Sequence, residues 1–287
     1  MTAVMMSGEP VADAVLADVG ERVAKLGADG ISVGLGTLLV GDDPASAGYV
    51  RKKHETCERY GLRSFHAELA ADATQGDLEG AVRAFNDDDE VDAFILQYPV
   101  PGHLDFNAAL ALMDPDKDAD GLHPLNLGKL VLGAPGPVPG TPAGIQAMLS
   151  FYGVPVEGRN AVIVGRGPTI GRPLALLLSR KAKDANAAVT AVHTGVPNWK
   201  DYARQADILV GAAGVPNMIT PDVVKPGAAV VGGGITWEGK RLISDVDEAC
   251  AEVAGWCTTR LRGVGATTVA MLLRNTVEVA ERRRYAR

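Results

Sequence analysis

Several stretches of this chain carry residues whose types and spacing could do chemistry. Tyr49 and Lys53 stand four apart in PASAGYVRKKHETCERYG, so on a helix they share a face one turn apart. Turned towards a cleft, that face offers an aromatic platform and an amine; a partly desolvated lysine loses basicity and can serve as acid or base. Arg51 and Lys52 beside it favour, on spacing alone, the plainer reading of a row of solvated cations. Gln97 ends the apolar run VDAFILQY, just before Pro99, Val100, Pro101 and Gly102. A buried amide needs partners, so Gln97 is either a structural tie for the loop or a substrate contact.

The loop DPDKDADG, Asp114 to Gly121, is dense in carboxylates. It reads as a solvated acidic turn, as a divalent-metal loop, or as the setting for one carboxylate beside Gly121 that accepts two N–H bonds from an amino-pyrimidinone edge. Against the metal reading, Leu125 stands at the twelfth position counted from Asp114, where an EF-hand-like loop closes with glutamate. No other group of residues suggests a metal.

The stretch NAVIVGRGPTIGRPLALLLSR, Asn160 to Arg180, sets an apolar run before Gly165, Gly167 and Gly171, then a run rich in Leu and Ala with helical spacing. Strand, tight glycine turn and helix together suit a pyrophosphate, because the backbone can approach it and meet its charge with N–H groups and the helix dipole. The spacing G-x-G-x-x-x-G is one residue longer than the usual dinucleotide fingerprint, so a strand–turn–helix without a ligand is the competing reading. The next strand, Ala187 to Val192, ends in His193, Thr194 and Gly195, with no carboxylate for the ribose hydroxyls of NAD. Arg166 with His193 and Thr194 suits a 2′-phosphate, which favours NADP; the plainer reading of Arg166 is a solvated loop arginine.

The elements that must position these residues follow from pattern and punctuation. Amphipathic spacing predicts a helix over about 10–25, and Ile31 to Val40 a buried strand. Asp43 as N-cap, Pro44 at the first turn and Gly61 beyond the last turn bound the Tyr49/Lys53 helix. A helix near 75–85 precedes the strand that ends at Gln97, where an open α/β sheet gathers its ligands. A further helix spans Phe106 to Met113, and Gly133 to Pro142 has the composition of a linker. Helix Ala143 to Tyr152, strands near 161–164, 187–192, 207–210 and 228–231, a short helix at Thr220–Pro221, a hairpin around Trp237–Lys240 and a last helix from about Thr267 to Arg284 complete the series. Repeated strand–helix alternation implies parallel sheets with right-handed crossovers.

At 287 residues the chain has room for two domains, and 47% apolar with 22% charged residues describes a globular protein. A net charge of -7, with no basic stripe, argues against nucleic acid as a partner. Cys57, Cys250 and Cys257 form no CxxC pair and no cluster with histidine, which reads as reduced thiols in the cytoplasm. The N-terminus lacks a leader pattern, and no apolar run reaches membrane-spanning length.

With Tyr49 and Lys53 in SAGYVRKK, then ILQYPVPG, DPDKDADGLHP, GTPAGI and VGRGPTIGRP in that order, the chain resembles the methylenetetrahydrofolate dehydrogenase/cyclohydrolase (FolD) family from about residue 9 to the C-terminal helix. The resemblance implies two α/β domains with a cleft between them: a folate-binding catalytic domain over 1–140 plus the helix 267–287, and a Rossmann-like NADP-binding domain over 141–266. It implies a homodimer as well. It makes Lys53 the central catalytic group for opening the methenyl ring by water, tuned by Gln97, with Tyr49 stacked on the folate and Asp120 anchoring the pterin. Gly165, Arg166 and Gly167 would contact the cofactor phosphates, Thr194 and Ile235 would lie beside NADP, and Gly263 beside the substrate. The implied reactions are NADP-dependent oxidation of 5,10-methylenetetrahydrofolate and hydrolysis of the methenyl product to 10-formyltetrahydrofolate.

Two places depart from the family's pattern. Leu261 to Ala266, LRGVGA, stands where the family usually has Pro-Gly-Gly-Val-Gly-Pro, and Gly232 stands where an Asp is common. They leave open a specialised paralogue with one activity or a dedicated pathway, and a folate- or nucleotide-binding protein without turnover. A short-chain dehydrogenase reading of Tyr49 and Lys53 fails on order, because that pair should follow the glycine loop.

Overall fold

The structure, a computed structural model, describes residues 2–41, 44–239 and 241–285, with the side chains of 44–47, 49, 284 and 285 left aside. The chain forms two compact units: Met1–Asp13 with Pro139–Met271, and Ala14–Val138 with Leu272–Arg287. The first thirteen residues therefore sit with the later unit, and not in the block 1–140 expected from sequence. The reason is a strand too short to read by pattern: β1 (Val4–Met6) adds a parallel edge to the later unit's sheet.

Helix α1 (Glu9–Ala28) is followed by β2 (Gly34–Val40), whose seven residues are all buried. Next come α2 (Pro44–Arg59), β3 (Arg63–Leu69), α3 (Gln75–Asp87) and β4 (Ala93–Leu96). These strands make a parallel sheet in the order β3-β2-β4. The expected Asp43 cap of α2 lies outside the described residues. Helix α3 starts on a capping box in which Thr74 and Asp77 satisfy each other's backbone N–H. Helix α4 (Phe106–Ala111) is capped by Asp105, and a 3₁₀ turn at Pro115–Lys117 leads to α5 (Pro124–Leu132). The core of this unit packs Leu78, Val82 and Phe85 of α3 against Leu38, Val40, Phe94 and Leu96.

The later unit contains α6 (Gly140–Phe151), β5 (Asn160–Val164), α7 (Gly171–Ser179), β6 (Ala188–Val192), α8 (Trp199–Ala203), β7 (Ile208–Gly211) and β8 (Ala229–Gly232). A hairpin of β9 (Ile235–Glu238) and β10 (Arg241–Ser244) precedes β11 (Trp256–Thr258). The last helix, α9 (Val264–Tyr285), starts three residues earlier than its pattern suggested. The main sheet has six parallel strands in the order β1-β11-β8-β7-β5-β6, so the chain reverses direction across the sheet at β5. That reversal places a crevice at the carboxyl ends of the strands.

Alternation along each strand fills both faces. Val162, Val164, Leu209 and Val230 enter one core with Cys250 and Cys257, while Ala161, Ile163, Val210 and Val231 enter the other with Ile145, Met148 and Leu174. Cys57, Cys250 and Cys257 are free and buried, and burial pushes their thiols up to about 12, 12 and 11 respectively.

The three glycines of the central turn have different reasons to be there. Gly165 has φ 140°, and a Cβ on it would strike the Ala212 carbonyl. A Cβ on Gly171 would strike the Gly165 carbonyl, whereas one on Gly167 would meet open space. Gly171→Ala should therefore cost about 1–3 kcal/mol of stability, because its neighbours are backbone and do not give way. Gly167→Ala should stay within about 0.5 kcal/mol. Thermal unfolding of the two variants beside the parent measures both, and equal losses would contradict this division.

Candidate active site

In the earlier unit, three chain-distant side chains converge on one point. Lys53 projects from α2 and is 9% exposed; its Nζ donates to Gln97 Oε1 at 2.8 Å. Gln97 follows β4 directly, and its Nε2 donates to the Tyr98 carbonyl at 2.8 Å, which fixes the amide oxygen towards Lys53. Its own N–H donates to the Leu38 carbonyl at 2.9 Å, so the residue is held by the sheet as well. Asp120, partly buried in the 118–121 turn, is the carboxylate that acts on Lys53.

The electrostatics follow from burial. Taking an ammonium out of water costs several kcal/mol, and one hydrogen bond to a neutral amide returns only about 0.5–1.5 kcal/mol. Desolvation therefore holds Lys53 below the usual lysine range, with Asp120 pulling the other way. Burial raises Asp120 above the usual carboxylate range, opposed by Lys53 and reinforced by Asp118. Both groups are thus displaced towards neutrality, which is what a group that must hold and release a proton near neutral pH needs. Tyr49 lies one turn before Lys53 on α2, and its side chain is outside the described residues.

The acidic loop divides its carboxylates: Asp114 and Asp116 are exposed, whereas Asp118 is drawn inside. Asp118 is fully buried and accepts from the N–H groups of Asp120, Gly121 and His123 and from Asn126 Nδ2, at 2.8–3.1 Å. Lys117, also buried, donates to the carbonyls of Phe85 and Asp88. Sequence reading passed over both, because their roles lie in contacts with α3 and with the loop's own backbone. The detectable signal was Gly121, whose φ of 70° demands glycine in a tight turn.

In the later unit, Gly165 N donates to the Val192 carbonyl at 2.8 Å, which sets Arg166 beside His193 and Thr194 at adjacent strand ends. Arg166 and Thr194 are exposed. His193 Nδ1 accepts from Gly195 N at 3.1 Å, so the neutral ring carries its proton on Nε2, as an outward donor. Among the described residues no side chain caps α7, and an N-terminus of that kind suits an anion. Ile235 is 40% exposed at the start of β9. The chain reaches it through Gly233, on which a Cβ would touch the Gly211 carbonyl, Ile145 and Ile170.

The two departures from the family pattern have local explanations. A Cβ on Gly232 would strike Ser244 Oγ, so a serine occupies the space a longer side chain would need. Beside it, the fully buried Asp245 accepts from the N–H groups of Ala213 and Gly214 at 2.7 and 3.0 Å, and a Cβ on Gly234 would strike its carboxylate. Gly263 sits in the turn before α9; a Cβ there would strike the Thr259 carbonyl, and the Gly263 carbonyl leaves no room for one on Gly8. Arg262 has φ 58°, takes a hydrogen bond from Gly8 N on its carbonyl at 2.7 Å and pairs with Glu9 at 3.3 Å. The altered loop is therefore fastened to the N-terminal segment.

Residues 6–120 match the family described as tetrahydrofolate dehydrogenase/cyclohydrolase, catalytic domain, and residues 139–284 match its NAD(P)-binding domain. The chain is 60% identical over 283 residues to the bifunctional protein FolD of Syntrophotalea carbinolica, covering 99% of this chain and 98% of that one. The crystal structure of the bifunctional FolD enzyme of Campylobacter jejuni is 36% identical, superposes with a TM-score of 0.93, and covers 98% of this chain and 99% of that one. The Trypanosoma brucei methylenetetrahydrofolate dehydrogenase-cyclohydrolase, solved with NADP cofactor and inhibitor, is 35% identical with a TM-score of 0.92 and 99% of each chain covered.

The Lys53 environment gives a direct expectation. In a ¹³C NMR titration of the lysine Cε resonances, Lys53 should titrate below its ordinary 10.5. Asp120→Asn should lower the midpoint further, since it removes the charge that favours the ammonium. A rise in that variant would overturn the pairing.

Proposed function

The chain belongs to the tetrahydrofolate dehydrogenase/cyclohydrolase family, and from that membership we propose how its residues divide the work. The enzyme oxidises 5,10-methylenetetrahydrofolate with NADP⁺ and hydrolyses the methenyl product to 10-formyltetrahydrofolate. The observation that carries the site assignment is the buried Lys53 Nζ held at 2.8 Å by Gln97 Oε1, with Asp120 as its carboxylate.

Lys53 handles the proton of the hydrolysis. Its neutral amine takes a proton from the water that adds to the one-carbon bridge. It returns that proton to the ring nitrogen as the carbon–nitrogen bond opens, and the carbinol hydroxyl releases its own proton to solvent as the formyl group forms, so one proton is released overall. Gln97 keeps Nζ pointed at the bridge without adding charge, so the amine stays able to exchange its proton. A general acid–base group so placed contributes about 10²–10⁴-fold. Asp120 accepts the two N–H donors of the pterin amidine edge, a pairing that fixes the ring against Lys53. Tyr49, one turn from Lys53 on the same helix, stacks on the folate.

The cofactor fits the later unit on this chain's own features: a turn whose Gly167 faces open space, an uncapped helix N-terminus, and no carboxylate at the end of β6. NADP⁺, when bound, accepts the hydride. Gly165, Arg166 and Gly167 hold its phosphates, Arg166 with His193 Nε2–H and Thr194 holds the 2′-phosphate, and Ile235 lies along it, while Gly263 borders the substrate. A homodimer is part of the same reading. So is a cytoplasmic location, which three reduced, buried cysteines support.

Lys53→Met should lower the cyclohydrolase rate by at least about 10²-fold and the dehydrogenase rate far less, because the substrate nitrogens stabilise the cation that hydride loss creates. Following methenyl absorbance and reduced cofactor in one assay separates the two activities, and full cyclohydrolase activity in the variant would refute the role. Arg166→Ala should raise KM for NADP⁺ about tenfold and that for NAD⁺ much less; equal effects on both would remove Arg166 from the 2′-phosphate.

A further inference from the structure

We infer that Asp118 is a positioning residue for the reaction: its buried carboxylate holds the 118–123 turn in the one conformation that presents Asp120 to Lys53. This rests on the reading of Lys53 and Asp120 as the groups that meet the folate.

The geometry is a closed set of four hydrogen bonds. Oδ1 accepts from Asp120 N at 3.1 Å and Gly121 N at 2.9 Å; Oδ2 accepts from His123 N at 2.8 Å and Asn126 Nδ2 at 2.9 Å. All four donors are N–H groups, so the residue must be an acceptor at both oxygens, which a carboxylate is and an amide is not. The turn is fixed from outside too. Ala119 N donates to the Phe94 carbonyl at 3.1 Å, and Asn275 Nδ2 donates to the carbonyls of Ala119 and Val138 at 2.8 and 2.9 Å. Phe94 belongs to β4, the strand that ends at Gln97, so one strand sets both the amide and the carboxylate that meet Lys53.

Asp118 also acts through its charge. The ionisable groups that bear on Lys53 are Asp120 and Cys57, and those that bear on Asp120 are Lys53 and Asp118. Asp118 opposes ionisation of Asp120, so it keeps the pterin-facing carboxyl easier to protonate than Lys53 alone would allow. No substrate contact is needed for either effect.

Asp118→Asn keeps the shape, removes the charge and turns one acceptor into a donor that faces N–H groups. Loosening the turn weakens the Asp120 pull on Lys53, whereas losing the Asp118 charge lets Asp120 ionise more readily, so in this variant the folate KM is the deciding readout. The variant should raise KM for the folate substrate about tenfold and leave KM for NADP⁺ unchanged. A variant that loses thermal stability but keeps the parent folate KM would overturn the inference, leaving Asp118 a structural residue only. Gly121→Ala strains the same turn, whose φ is 70°, with every charge retained. It should raise the folate KM and lower the Lys53 midpoint in the ¹³C titration, and unchanged values would equally overturn the inference. The NMR midpoint needs no turnover, so it separates this role from the catalytic one: Lys53→Met retaining hydrolysis would sink the catalytic reading alone.

Discussion

The proposed chemistry depends on one hydrogen bond, from Lys53 Nζ to Gln97 Oε1. A lysine this deeply buried would normally demand a carboxylate in direct contact, because the cost of an unpaired buried ammonium exceeds what neutral hydrogen bonds return. Here the direct partner is a neutral amide, and the carboxylate of Asp120 acts on the lysine through its charge. The amide orients the amine without committing it to the charged form, so the proton stays exchangeable. A direct ion pair would have locked the lysine as a cation; an apolar surrounding would have left it without orientation.

The rest of the earlier unit can be understood as support for that contact. Helix α2 brings Lys53, β4 brings Gln97 at its carboxyl end, and the 118–121 turn brings Asp120. The turn is the element with least intrinsic preference for its shape, and it receives the most reinforcement: the Asp118 carboxylate, the buried Lys117 ammonium against the end of α3, and Asn275 from α9. The later unit follows a different rule, in which backbone must approach backbone. Gly165, Gly171 and Gly233 sit where strand ends and turns touch, and Gly232 and Gly234 make room for Ser244 and Asp245. Of the three glycines in the central turn only Gly167 faces open space, and that is the position suited to a phosphate. The unusual loop before α9 is built on the same rule, with Gly8 and Gly263 interlocked.

Sequence named the candidate chemistry-bearing residues and determined most of the elements that carry them. Lys53 and Tyr49 share a helix face by spacing, Gln97 ends an apolar strand, and the glycine turn stands between strand and helix, because periodicity, caps and glycines are local properties of the chain. The short strands β1 and β11 were not legible, since three residues set no pattern and their pairing is made by distant segments. For the same reason the packing of the first thirteen residues with the later unit was not legible, although the catalytic-domain match begins at residue 6. The resemblance already paired Gln97 with Lys53, and tertiary structure supplied the hydrogen bond between them; tertiary structure alone decided that of the clustered carboxylates Asp118 ties the backbone while Asp120 acts on the lysine, and that Gly232 yields its space to Ser244. Those outcomes depend on which groups, far apart in the chain, are desolvated together, and a hydrogen bond or a displaced pKa is a property of that shared burial that no single stretch of sequence contains.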